Sequence, residues 1–106
     1  MAEGAVLLRG FARPVEAELI AEISAIVARA PFRHMVTPGG HSMSVAMTNC
    51  GRIGWVTDRS GYRYDSSDPE TAKPWPAMPP AFFQLAGQAA AAAGFAAFLP
   101  DACLIN

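Results

Sequence analysis

Apolar residues recur at spacings of three and four from Val15 through Leu19, Ile20, Ile23 and Ile26 to Val27, a stripe that predicts an amphipathic helix. Pro14 suits its first turn, where a missing N–H costs no bond. Glu16 and Glu18 stand at the positive end of the helix dipole and Arg29 at the negative end. Pro31 stops the helix, because it restricts Ala30 and has no donor. Ahead of this helix, the aliphatic run at residues 5–8 predicts a short strand.

Thr37-Pro38-Gly39-Gly40 predicts a type II turn with the positive φ on Gly39. Residues 41–57 mix Met43, Val45, Met47, Ile53, Trp55 and Val56 with small polar residues, and predict two short strands broken by a turn at Asn49-Cys50-Gly51. A second turn at Asp58-Arg59-Ser60-Gly61 leads into Tyr62-Arg63-Tyr64, whose alternation places both phenols on one face of an extended segment. The proline-rich stretch at residues 73–80 suits a stiff connector pinned by Trp75. From Pro80 a second helix is expected through Ala93, with Phe82, Phe83, Ala86, Ala89, Ala90 and Ala93 inward and Gly94 ending it in the left-handed conformation. Residues 102–105 then begin another strand. The pattern is that of an α+β chain.

Its length of 106 residues fits one domain, and a hydrophobic fraction of 52% with 16% charged residues excludes a disordered chain. The formal net charge is only -1, yet its distribution is uneven. Residues 32–64 hold Arg33, Arg52, Arg59 and Arg63 against the single acid Asp58, whereas Glu16, Glu18, Glu22, Asp65, Asp68 and Glu70 lie outside. Such a segment is either an ordinary solvated surface or a face that meets phosphate. Cys50 and Cys103 form no CxxC motif and are expected to be free thiols. Without a leader pattern or an apolar stretch of about 18 residues, neither export nor membrane spanning is expected, and the cytoplasm is the expected compartment.

His34 and His41 lie in no HxD, HxxxH or HExxH pattern, so no metal site is expected among these residues. The glycines match no phosphate-binding loop. Trp55 followed by Tyr62-Arg63-Tyr64 interleaves aromatic rings with a cation, a composition that suits stacking on nucleobases but also an ordinary core.

Longer motifs carry a resemblance. Pro31-Phe32-Arg33-His34-Met35-Val36-Thr37-Pro38-Gly39-Gly40, then Met43-Ser44-Val45-Ala46-Met47-Thr48-Asn49-Cys50-Gly51, then Gly54-Trp55, Gly61-Tyr62-Arg63-Tyr64, Lys73-Pro74-Trp75-Pro76-Ala77-Met78-Pro79 and Pro100-Asp101-Ala102-Cys103-Leu104-Ile105-Asn106 together resemble the bacterial AlkB family. The resemblance implies an Fe(II)- and 2-oxoglutarate-dependent dioxygenase that demethylates 1-methyladenine and 3-methylcytosine in single-stranded DNA or RNA. It implies the N-terminal half of a double-stranded β-helix, or jelly roll, with two flanking helices and a β-hairpin nucleotide-recognition lid at about residues 35–64. By the same likeness Trp55 stacks on the flipped base, while Tyr62, Arg63 and Tyr64 contact the substrate.

Asn106 matches the first residue of the family's Asn-Arg-Tyr motif, which binds 2-oxoglutarate. The family's His-x-Asp…His iron ligands have no counterpart in residues 1–106. The expectation is therefore an N-terminal fragment, inactive alone, unable to bind iron, awaiting a C-terminal half and prone to aggregate or form a molten globule. The competing readings are a non-catalytic module that binds single-stranded nucleic acid and a structural fragment without a function of its own.

Overall fold

The stripe ending at Val27 folds as expected. A 3-10 turn, Arg13–Val15, carries Pro14 and leads into helix α1, Glu16–Arg29. The chain leaves α1 through Ala30 in an extended conformation, as the following proline requires. In this computed structural model, which describes residues 5–106, four strands and a second helix follow: β1 Thr48–Gly51, β2 Gly54–Asp58, β3 Gly61–Asp65, α2 Pro80–Ala92 and β4 Ala102–Ile105. They form two separate antiparallel pairs, β1 with β4 and β2 with β3.

Two apolar clusters hold these pieces together. Ala30, Met35, Met47, Val56 and Trp75 form one, under the β2–β3 hairpin. Ile26, Cys50, Met78 and Ile105 form the other, where α1 and the proline-rich connector meet the β1–β4 pair. Trp75 pins the connector as the sequence suggests: it is 4% exposed and its indole N–H donates to the Asp65 carbonyl at 3.0 Å. Polar side chains close the seams. Thr48, fully buried, donates from Oγ1 to the Ala30 carbonyl at 2.7 Å, which satisfies a backbone acceptor just beyond α1.

Several expectations fail for physical reasons. Residues 5–8 form no strand. A strand needs a partner for its backbone groups, and no described strand lies beside this run. The Thr37 turn closes with the Gly40 N–H donating to the Thr37 carbonyl at 2.8 Å, but the positive φ falls on Gly40 at 86° rather than on Gly39. This matches a type I turn followed by a left-handed glycine, the usual three-residue hairpin loop, and not the type II turn. Asn49-Cys50-Gly51 is not a turn, because those residues lie inside β1 and the chain bends at Arg52-Ile53 instead. The second helix has its predicted extent within one residue, and Gly94 follows at φ 96°. None of its residues is fully buried, however, and Phe83 is 40% exposed. Only Phe82 packs on a core cluster, since little of the described chain lies over the rest of that helix.

Candidate functional site

The β2–β3 hairpin builds the most distinctive surface of the molecule. Its two-residue tip, Arg59-Ser60, joins strands in which Trp55 opposes Tyr64 and Thr57 opposes Tyr62. Directly opposed residues share a face, so Trp55, Tyr62 and Tyr64 all project from the same side. The phenols are 63% and 62% exposed, whereas Trp55 is half-buried against the core cluster beneath it. The Trp55 and Tyr62 rings stack diagonally, with centroids 5.9 Å apart and planes inclined by 30°. A stacked base occupies about 3.4 Å, so nothing fits between those two rings as they stand. Their outer surfaces form a platform rather than a slot.

Arg63 lies on the other side of the hairpin. It forms a two-pronged ion pair with Asp58, both contacts at 3.0 Å, and a longer contact of 3.3 Å with Asp65. The Arg63 hydrogen bond, aided by the Ser60 N–H, holds the Asp58 carboxyl below its ordinary range, and Asp58 in turn raises the guanidinium. Arg63 thus fastens the two strands to each other and is not brought together with the three rings.

The acids that lie outside residues 32–64 in the sequence fold back onto most of its arginines. Arg33 makes a buried two-pronged pair with Asp68, at 2.6 and 2.7 Å, and reaches Glu70 at 3.1 Å. Burial of Asp68 pushes its pKa up more than any one partner lowers it, yet the Arg33 hydrogen bond, the Glu70 N–H and the Arg33 charge together hold it below the ordinary carboxylate range. Arg33 also lies over the Trp75 ring, 5.3 Å from its centroid. Arg52 pairs with Asp101 at 2.6 Å. The local positive charge is therefore much smaller in the folded chain than along the sequence.

Sequence reasoning missed Asn49. Its side chain is wholly buried, accepts from the Trp55 N–H and donates to the Trp55 carbonyl, each at 3.0 Å. A carboxamide here acts as a short surrogate strand for the outer edge of β2. Gly54 supports the same corner, because a Cβ there would stand 2.6 Å from the Trp75 ring and 2.8 Å from Asn49 Cβ. The available signal was a carboxamide between Thr48 and Cys50, five residues before a glycine; read locally, it resembles a turn.

Asn106 follows β4 and is exposed. Among the described residues no three His, Cys, Asp or Glu side chains gather to hold a metal ion, so these residues do not by themselves fit an iron centre. No described helix is long and apolar enough to cross a membrane.

A hairpin with an outward aromatic platform beside the motifs quoted above invites comparison with known proteins. The family model for the 2OG-Fe(II) oxygenase superfamily matches residues 4–106. The chain is 58% identical over its full 106 residues to the alpha-ketoglutarate-dependent dioxygenase AlkB of Escherichia coli (strain K12), covering 49% of that protein. Its identity to the Salmonella typhimurium protein of the same name, and its coverage of it, are the same. The Caulobacter vibrioides AlkB homolog is 43% identical over 88 residues, which are 83% of this chain and 38% of that one. The chain belongs to the 2OG-Fe(II) oxygenase superfamily and, within it, to the AlkB-type dioxygenases. It spans about half the length of the curated relatives it matches most fully.

Proposed function

We propose that this chain is the base-gripping half of an oxidative demethylase acting on alkylated bases, 1-methyladenine and 3-methylcytosine among them, in single-stranded DNA or RNA. In this reading residues of about 35–64 are a nucleotide-recognition lid, and residues 1–106 are the N-terminal part of a jelly-roll dioxygenase domain. Fe(II) and 2-oxoglutarate supply the oxidation, and the remainder of the polypeptide holds the metal. Asn106 stands at the edge of the cosubstrate site.

The observation that carries this reading is the shared outward face of Trp55, Tyr62 and Tyr64, with Trp55 clamped from behind by Asn49. Exposed phenols beside a fixed indole are poor core but a good stacking surface, worth about 1–3 kcal/mol per base. A base methylated on its pairing edge has lost part of its pairing and is cheaper to extrude. It is also cationic, and the indole face attracts it by about 0.5–2 kcal/mol more than a neutral base. Arg63 contributes by keeping the strands in register, so that the rings stay on one side.

The test is an anisotropy titration of two labelled single-stranded oligonucleotides that differ only in one 3-methylcytosine for cytosine. The methylated strand is expected to bind about twofold to thirtyfold more tightly, and Trp55→Ala to erase the ratio. Equal affinities with the unaltered protein overturn the reading.

A further inference from the structure

Of the four arginines in residues 32–64, Arg59 alone has no carboxylate partner among the described residues. It nevertheless has a seat. Its guanidinium lies across Gly40, with Nη2, Nη1 and Cζ at 2.9, 3.0 and 3.1 Å from where a Cβ on that glycine would stand. Gly40 has φ 86° and closes the Thr37 turn, so Arg59 spans from the tip of the β2–β3 hairpin to the tip of the neighbouring one. A long cation therefore rests beside that glycine with no carboxylate among the described residues to neutralise it. It sits three residues from Tyr62, at the end of the strand pair that carries the aromatic platform.

We propose that Arg59, seated on Gly40, is the residue that meets a backbone phosphate of the single strand whose base lies on Trp55 and Tyr62. This rests on the function proposed above and names the phosphate contact of that same site. An unpaired guanidinium beside the platform is free to meet an anion, and its planar fork of donors suits a phosphodiester. A phosphate contact positions the strand and does not read the base.

The test is the salt dependence of affinity for the same two oligonucleotides, measured on the protein made from its own reading frame, with folding of each variant checked by circular dichroism. Arg59→Gln is expected to weaken both strands by the same factor and to lower the slope of log Kd against log salt by about 0.7, the value for one phosphate on a single strand. Arg59→Lys should keep the slope, Gly40→Ala should lower it with Arg59 still present, and Arg52→Gln should leave it unchanged. An unaltered slope in folded Arg59→Gln, or an equal loss in Arg52→Gln, overturns the proposal. If the unaltered protein binds both strands equally but Arg59→Gln lowers the slope, the demethylase reading fails and the phosphate contact stands. If neither strand binds, both fail.

Discussion

Asn49 grips Trp55 by both backbone groups, accepting from its N–H and donating to its carbonyl at 3.0 Å each. Among the described residues the outer edge of β2 at this point faces no further strand, and the buried carboxamide takes the place of one. The orientation of the indole therefore depends on a side chain six positions earlier, in a different sheet.

Asn49→Ala removes both bonds and leaves two backbone groups without partners. The expected cost is about 2–4 kcal/mol from two lost bonds of about 1–2 kcal/mol each. Urea unfolding checks the size, and a parallel loss of preference for the methylated strand checks that Trp55 has moved. Asn49→Asp keeps the acceptor but buries an unpaired carboxylate against the Trp55 carbonyl, and should cost at least as much as Asn49→Ala near neutral pH.

Gly54→Ala asks for space that Trp75 occupies, since the new methyl would stand 2.6 Å from the indole. Overpacking of this kind costs about 1–3 kcal/mol. A lowered Tm with a changed near-ultraviolet signal from Trp75 is the expected result; an unchanged Tm would show that the corner has slack.

The Arg33–Asp68 pair gives stability a defined acid dependence. Asp68 has a folded pKa held below its ordinary value, so its contribution is fully present above the unfolded value of about 4. It is lost as pH falls through the lower folded value. Asp68→Asn should cost about 3 kcal/mol near neutrality, because it leaves buried Arg33 with only the exposed Glu70. It should also flatten the acid limb of stability measured by urea unfolding between pH 6 and pH 3.

Cys50 and Cys103 oppose each other across β1 and β4, both as free thiols. The facing Cys50 thiol lowers Cys103 to about 7 against the opposing effect of burial, while the neighbouring Cys103 and burial push Cys50 up. Iodoacetamide should therefore label Cys103 at a rate that rises through about pH 7, with Cys50 untouched until the chain unfolds. Cys50→Ala should move the midpoint upward, toward the ordinary thiol value of about 8.5.

What was legible in the sequence was local. The period of α1, the turn at Arg59-Ser60, the alternation of Tyr62 and Tyr64 and the stiffness around Trp75 follow from near neighbours, and the structure repeats them. That residues 5–8 form no strand was not legible, because pairing is a tertiary fact that no aliphatic run carries within itself. The same holds for charge. Arg33 meets Asp68 across 35 positions, and Arg52 meets Asp101 across 49, so a segment that is basic as a string is largely neutralised as a surface. Asn49 hid for the opposite reason: Asn-Cys-Gly has the local chemistry of a turn, and only burial and the approach of β2 turn its amide into a clamp.

The central claim, that a nucleobase lies on Trp55, is read most directly from indole emission during titration with the 3-methylcytosine strand. Trp75 is buried beneath Arg33 and supplies a steady background, so the change reports on Trp55. Saturable quenching that follows the anisotropy curve, and vanishes in Trp55→Ala, is the predicted result. Emission that stays constant while the strand binds would contradict it.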